Sequence, residues 1–356
     1  MSVKRRVTQL AIAMLLILFA FSMLLPTNIK GLLRERAANW TGVILTSAEK
    51  IKTHLLEYKD ESYSPTHTEN SPCFTVGFKS PTTGNGMGNH LFYFAGVIYA
   101  AWLTGRRPLI LSSKSNLLET AFDLDIVHLD NSRRCPVGQF IHQFVYAYNG
   151  DIRSLTDVEA NVSVWLRGSF CSWKYTRPVE TELRRQLQFR RELTAFVEQF
   201  LSARVPRGWD ADSFVRVGVH VRRGDFLKPW AVSSGFTVAG RDYLTTAMAY
   251  FVERYRRIQF VVASNDVTWC RRNIAPSSFD EDRISVVFSV GHSAAQDLAL
   301  LASCDHTVMT TGTYSWWAAW LANGTTVYYR NFPKRGSRLW KRSNVDDYYP
   351  PWWIGL

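Results

Sequence analysis

Between residues 214 and 329 short apolar runs alternate with amphipathic stretches, and this rhythm restricts the chain to a layered α/β architecture. Residues 214–221 read as a strand, 241–258 as a helix, 259–264 (QFVVAS) and 284–288 (ISVVF) as strands and 294–302 (AAQDLALLA) as a helix. A strand at 306–310 (HTVMT), a helix at 316–322 (WWAAWLA) and a final strand at 325–329 complete the run. Strands separated by helices cannot pair as tight hairpins. They lie parallel, buried on both faces, and such sheets take ligands at the carboxyl ends of their strands.

The preceding part repeats the pattern less regularly. A strand at 73–78 (CFTVGF) leads into a glycine-rich loop, GNGMGN at 84–89, then a helix at 90–103 that stops at Thr104-Gly105, then a strand at 106–111. Residues 162–166 read as a short strand and 181–201 as one amphipathic helix. The polar stretch VPRGWDAD around 206–212 marks a boundary, so 71–210 and 211–356 form two halves of an α/β fold.

Ahead of both lies an uncharged apolar run, VTQLAIAMLLILFAFSMLL at 7–25, closed by Pro26. Nineteen residues of helix span the roughly 30 Å of a bilayer core. Lys4, Arg5 and Arg6 directly before it keep residues 1–6 cytosolic by the positive-inside rule, although Lys30, Arg34 and Arg36 beyond it pull the other way. A cleaved signal peptide is the competing reading, but the run is long for one and no small-x-small site precedes Pro26. Residues 7–25 are therefore expected to be an uncleaved transmembrane anchor and 26–70 a polar stem, with the remainder lumenal. Asn39, Asn161 and Asn323 open glycosylation triplets consistent with that compartment.

Charge narrows the ligand. The net charge is +12, and beyond residue 36 there are still 36 Lys/Arg against 29 Asp/Glu. Such an excess suits a nucleotide diphosphate or a phospholipid surface. Nucleic acid is disfavoured, since no zinc-finger, helix-turn-helix or RNA-binding signature is present. Cys73, Cys135, Cys171, Cys270 and Cys304 match no zinc spacing, and in an oxidising compartment they allow two disulfides with one thiol left over.

The strand at 214–221 ends in chemistry that packing does not require. Residues 218–225 read GVHVRRGD, setting His220, Arg222, Arg223 and Asp225 at a carboxyl end. Adjacent guanidiniums are costly to place there without an anion, and an arginine fork grips phosphate bidentately. Asp225 is placed to hold one arginine, while Gly224 permits the turn. A plain Arg–Asp pair on a solvated loop is the alternative, against which the strand-end position argues. Two further strand ends converge on this edge. One carries Ser264, Asn265 and Asp266; the other carries Thr311, Gly312, Thr313, Tyr314 and Ser315 at a helix start, where hydroxyls and N–H groups suit phosphate. Ordinary N-capping would use the same residue types. In the glycine-rich loop, Gly86 and Gly88 let a ligand approach backbone N–H groups, though a tight turn needs glycine equally and the loop is neither a P-loop nor GxGxxG. Three such signals at successive strand ends favour a nucleotide site.

Taken together, GNGMGNHLF, GVHVRRGDF, FVVASNDVTWC and DLALLASCDHTVMTTGTYSWWAAWLANGTTVYY, spread over roughly residues 76–332, resemble the α-1,2-fucosyltransferases, specifically the galactoside 2-α-L-fucosyltransferases of animals. HxRRxD alone would resemble only the wider GDP-fucose-using superfamily. The resemblance implies a GT-B-like fold, two Rossmann-like halves with a cleft, the acceptor on the side of 71–210 and GDP-fucose on 211–356. It implies GDP-β-L-fucose as co-substrate, inversion at the anomeric carbon, and an α-1,2 linkage to a terminal β-galactoside of a glycoprotein or glycolipid. It requires no metal or other cofactor, consistent with the lack of a DxD motif; Asp346-Asp347 has the wrong spacing. It also implies a single-pass type II Golgi membrane protein and leaves room for a homodimer. By motif, Arg222 and Arg223 bind diphosphate, His220 and Asp297 line the guanosine pocket, and Ser264, Asn265, Thr313 and Ser315 lie on the donor side. Asn89 lies near the transferred sugar, with Asp225 steadying the arginines. His90 departs from the Gln usual after that Asn in vertebrate relatives, and Tyr314-Ser315-Trp316-Trp317 also departs, so acceptor identity is the less secure part. The alternatives are a catalytically inactive glycan- or GDP-binding relative and a fucosyltransferase of different acceptor or linkage. A sulfotransferase is disfavoured because GNGMGN lacks the Lys-Ser/Thr of a phosphosulfate loop.

Overall fold

Because helices return the chain after the strands, strands enter their sheets in one direction, and every ladder among the described residues is parallel. The computed structural model describes residues 75–78, 86–110, 117–124, 127–128, 137–141, 145–210, 213–274, 280 and 282–356, all within one unit, Tyr63–Leu356. The expected anchor and stem, Asn39, Cys73, Cys135 and the start of the glycine-rich loop lie outside these residues. Among the described residues no helix is long and apolar enough to cross a membrane.

The first sheet contains β1 (Thr75–Phe78), β2 (Arg107–Ile110), β3 (Val127–His128), β4 (Val137–Ile141) and β5 (Ser163–Arg167), in the order β3-β2-β1-β5-β4. Helix α1 (Met87–Thr104) connects β1 to β2, and α2 (Trp173–Thr176), α3 (Glu180–Gln186) and α4 (Arg191–Ser202) follow β5. Next come β6 (Val215–Val221), α5 (Pro229–Ser234), α6 (Arg241–Val252), β7 (Ile258–Ser264), α7 (Val267–Asn273), β8 (Ile284–Phe288) and α8 (Ala294–Ala302). They are followed by β9 (His306–Met309), α9 (Thr313–Ala322), β10 (Thr326–Tyr328), α10 (Arg338–Lys341), α11 (Val345–Tyr348) and β11 (Ile354–Gly355). The second sheet runs β11-β10-β9-β6-β7-β8. Read from β8, that is the 3-2-1-4-5-6 order of dinucleotide-binding sheets, whose crevice opens where the order reverses, between β6 and β9.

Residue type explains the layering. In β6, Val217, Val219 and Val221 are buried in one cluster with Leu244, Met248 and Phe251 of α6. On the other face a larger core joins α1, α8 and α9. Helix α1 is apolar nearly all round, and Leu91, Phe92, Phe94, Ala95, Val97 and Ile98 are all buried, as in a core helix rather than a surface one. The Phe92 ring lies 4.7 Å from Trp316 and 5.2 Å from Trp317 of α9, so the helix of one sheet packs on a helix of the other.

The C-terminus returns to this junction. Buried Asp347 accepts from the Tyr148 N–H at 3.1 Å and pairs with Lys174 at 2.7 Å, Ser172 Oγ donates to the Asp347 carbonyl at 2.6 Å, and Trp173 Nε1 donates to the Asp346 carbonyl at 2.9 Å. Residues that follow the second sheet's main strands thus pack on α2.

Three expectations need correction. The helix expected at 181–201 is two helices, interrupted because Leu187 is buried and Phe189 bridges to Phe122, their rings 4.9 Å apart, with Asp123 N–H donating to the Gln188 carbonyl at 3.1 Å. The helix expected at 241–258 stops at Val252, because Ile258 is needed in β7 opposite Val215. The strand expected last at 325–329 is followed by β11, which pairs with β10. Phe92→Ala should lower unfolding stability by about 3–5 kcal/mol, since it leaves a void against two tryptophans. A fall in the denaturation midpoint at unchanged m-value checks this.

Candidate active site

The cavity is built where β6 and β9 part. The Arg222 N–H donates to Thr310 Oγ1 at 2.9 Å, and that hydroxyl donates to the His220 carbonyl at 3.1 Å, closing the two strand ends together. The Arg222 side chain then turns back on its own loop: Nη2 donates to Asp225 Oδ2 at 2.8 Å and stands 2.7 Å from Oδ1. The loop must be tight. Gly224 has φ +29°, and a Cβ there would sit 2.2 Å from Asn265 Nδ2, so a side chain would push the β6 and β7 loops apart. Asn265 Oδ1 in turn accepts from the Arg223 N–H at 2.9 Å.

Helix α1 approaches from the first sheet. A Cβ on Gly88 would lie 2.4 Å from the Tyr314 backbone nitrogen, so the N-termini of α1 and α9 touch backbone to backbone. Thr313 Oγ1 donates to Asn89 Oδ1 at 2.9 Å across the same contact. The N-caps of these helices, Gly86 and Gly312, make no side-chain capping bond, and neither first turn carries an acidic residue. Two helix starts with no side-chain cap, and therefore with positive ends of their dipoles uncompensated, favour an anion.

The resulting cavity has a volume of about 570 Å³. Ten of the expected site residues line it: Gly86, Gly88, Asn89, His220, Arg222, Asp225, Ser264, Asn265, Asp297 and Thr313. Ser264 also has a structural task, donating to the Val221 carbonyl at 2.7 Å and accepting from the Asp266 N–H at 2.9 Å.

Arg223 and Ser315 do not line it. Arg223 lies over the Trp269 ring, 3.8 Å from its centroid, with Nε 3.5 Å from Asp266 Oδ2 and only 14% of its side chain exposed. The expected pair of cavity arginines is therefore one arginine, because adjacent residues at a strand end point opposite ways. Ser315 is fully buried beneath His220. Its Oγ donates to the Thr311 carbonyl at 2.9 Å and meets His220 Nδ1. A hydroxyl has one proton, so Nδ1 carries the imidazole hydrogen and Nε2 is left as an acceptor. Burial, and secondarily the Arg222 charge, push the His220 pKa down to about 3, so it is neutral.

The same logic recurs at Asp297. Ser289 Oγ donates to Asp297 Oδ1 at 2.6 Å and contacts His292 Nδ1 at 2.7 Å, so His292 Nδ1 carries a hydrogen. Burial raises the Asp297 pKa against the opposing Ser289 bond. Tyr314, its ring 4.9 Å from His220, fixes its hydroxyl on the Ala294 carbonyl at 2.6 Å.

His292 and the aromatic lining, Tyr146, Phe226, Trp230 and Phe236, were not legible as site residues. A signal existed for His292: it directly precedes Ser293, which with Gln296 forms a capping box before an apolar run. For Phe226 and Trp230 the only cue was aromatics directly after HVRRGD. The Arg222 guanidinium lies 5.3 Å from the Phe226 ring centroid.

Other expectations are placed as follows. Cys171, Cys270 and Cys304 are buried and not in disulfides, which corrects the allowance for two: Cys171 and Cys304 instead donate to the Ser169 and Leu300 carbonyls, and burial raises the pKa of all three thiols. Asn161 and Asn323 are exposed; Asn323 ends α9 in the left-handed conformation, and its Oδ1 accepts from Arg184 at 2.9 Å.

A parallel sheet of this order, with an arginine and two open helix starts at its switch point, suits a ligand that carries phosphate. Residues 49–356 match the family model described as glycosyl transferase family 11, and the chain belongs to that family. It is 33% identical over 275 residues to galactoside α-(1,2)-fucosyltransferase 2 of Sus scrofa, covering 76% of this chain and 77% of that one. Galactoside 2-α-L-fucosyltransferase Sec1 of Mus musculus is 31% identical over 299 residues, covering 83% and 76% respectively. Galactoside α-(1,2)-fucosyltransferase 1 of Sus scrofa is 33% identical over 281 residues, covering 76% and 72%. A solved structure of POFUT1 in complex with GDP matches more loosely, with a TM-score of 0.44 at 12% identity, covering 72% of this chain and 98% of that one.

The neutral, buried His220 makes a pH prediction. Its folded pKa, about 3, lies below the ordinary 6.5, so between those values the unfolded chain binds a proton that the folded one refuses. This contribution to stability is present above pH 6.5 and is lost as pH falls toward 3. In an NMR titration the His220 ring should keep its neutral chemical shift throughout that window; a midpoint near the ordinary value would contradict the assignment.

Proposed function

We propose that this chain is an inverting transferase that moves L-fucose from GDP-β-L-fucose to O2 of a terminal β-galactoside, forming an α-1,2 linkage on glycoprotein or glycolipid glycans. The support from relatives is that proteins named galactoside α-1,2-fucosyltransferases match over most of the chain. The observation that carries the chemistry is Arg222, held by Asp225 at the switch point beside two uncapped helix starts.

In this reading the guanosine lies against His220, Tyr314 and Asp297, and the diphosphate lies at Arg222. The galactose O2 attacks fucose C1 from the face opposite the diphosphate. As the new C–O bond forms, the C1–O–phosphate bond breaks, its electrons pass to the diphosphate, and the O2 proton is released. Arg222 and the N-terminal dipoles of α1 and α9 are already aimed at the growing negative charge, so little reorganisation is needed. The cavity walls hold donor and acceptor in line. Asp225 is occupied by Arg222, so its role is to orient the guanidinium. Asn89, joined to Thr313, belongs beside the transferred sugar, and Arg223 acts at one remove by bracing the loop at Asp266. The leaving charge is met by arginine and helix dipoles, and no metal is required. The two sheets are read as the halves of a GT-B-like fold with acceptor toward the first, set in the Golgi lumen on a type II anchor at 7–25; a homodimer is compatible with this.

Arg222→Ala should lower kcat for fucosyl transfer by roughly 10²–10³-fold, as for loss of a preorganised charge stabiliser. A folded variant with near-normal turnover would sink the scheme. Assayed with GDP-fucose and lactose, the wild-type rate should be unchanged by excess EDTA; a loss restored by a divalent ion would assign the leaving-group role to a metal instead.

A further inference from the structure

We propose that Trp230 is the platform on which the acceptor sugar lies. The inference rests on the donor assignment above and puts one acceptor contact on the second half of the chain, where the first was expected to bear the acceptor.

Among the described residues six large apolar side chains are well exposed, and of these only Trp230, at 54%, lines the cavity. Single exposed rings are common, but this indole offers a large flat surface to the space that contains Arg222. Its position is fixed rather than incidental. Pro229 starts α5, Ser234 Oγ donates to the Trp230 carbonyl at 2.7 Å, and Gly235 ends the helix with φ +108°. The Lys334 N–H then ties the Gly235 carbonyl at 2.9 Å to the C-terminal region. The Phe236 ring meets the indole edge-on at 5.9 Å and itself packs on Phe226 at 4.6 Å.

The order of groups along a nucleotide sugar selects the occupant. A nucleobase needs polar partners for its edge, which the wall of His220, His292 and Asp297 supplies. Phosphate belongs at Arg222. Arg222 lies over Phe226, the first ring of the aromatic wall, so the transferred sugar and then the acceptor continue along that wall. Trp230, the exposed member, is where a ligand arriving from solvent meets it. The axial O4 of a β-galactoside gathers C3–H, C4–H and C5–H on one face, an apolar patch matched to an indole.

The test uses the full chain in detergent, with Trp230→Ala and Trp230→Phe, lactose as acceptor and GDP as the thermal-shift ligand. Trp230→Ala should raise the lactose KM by about tenfold or more, and Trp230→Phe should keep most of the affinity, as expected for loss and partial retention of a stacking surface. GDP should stabilise wild type and both variants equally. A lactose KM unmoved in Trp230→Ala overturns the platform. A lost GDP shift in that variant also overturns it, since the indole would then serve the nucleotide. If GDP fails to stabilise the wild type, the donor assignment itself is wrong and the platform falls with it.

Discussion

The backbone contact between the starts of α1 and α9 is the constraint on which the rest of this molecule depends. It needs Gly88, because any side chain there would strike the Thr313–Tyr314 backbone. It needs Phe92 one turn later to fill the space against Trp316 and Trp317. Only with both can a helix from the first sheet bring its uncapped N-terminus to the switch point of the second. Packing and electrostatics are coupled here: the apolar contact supplies the free energy that holds two like-signed helix ends together, and the cavity inherits their field. The C-terminal residues reinforce it, since the Tyr348 carbonyl accepts from Trp316 Nε1 at 2.8 Å.

Against that frame the Arg222–Asp225 pair contributes little to stability. Both side chains are about a third exposed, and such pairs are worth about 0–1 kcal/mol. Its value is geometric. A lone guanidinium on a flexible stem samples many directions, whereas one held by a carboxylate three residues on presents a fixed set of N–H groups to an incoming phosphate. The tight turn that allows this exists because Gly224 lies against Asn265, so the β7 loop, which touches neither charge, sets the direction of Arg222.

The central elements were legible because they repeat a short physical pattern. Strand β8 and helix α8 fall where apolar runs begin and end, since a short apolar strand and a capped helix leave clear limits. The break within 180–202 was not legible: Leu187 and Phe189 fit a helical stripe as well as the extended link they form, and Phe122, far away in the chain, decides between them. The same reasoning separates Arg222 from Arg223. Composition and strand-end position treat them alike, but the side chains diverge, and Trp269 on α7 captures one of them. Residue type pointed to this strand end; the packing of Trp269 and Asp266 decides which arginine faces the cavity.

The two serine–histidine contacts complete the logic of the cavity. A histidine near a phosphate would ordinarily gain a proton and compete with arginine for the anion. Here Ser315 and Ser289 each spend their single hydroxyl proton elsewhere, on the Thr311 carbonyl and on Asp297, and accept one from an imidazole. Both imidazoles thereby carry a hydrogen on Nδ1, and burial keeps His220 uncharged, with its Nε2 an acceptor. With the Asp297 carboxylate this makes one wall rich in acceptors, suited to a base edge that offers N–H groups, while the positive potential stays at Arg222 and the helix starts. The cavity is also lined by the rings of Tyr146, Phe226, Trp230 and Phe236. A ligand with a polar edge, an anionic centre and an apolar face therefore has a different partner in the lining for each of its parts.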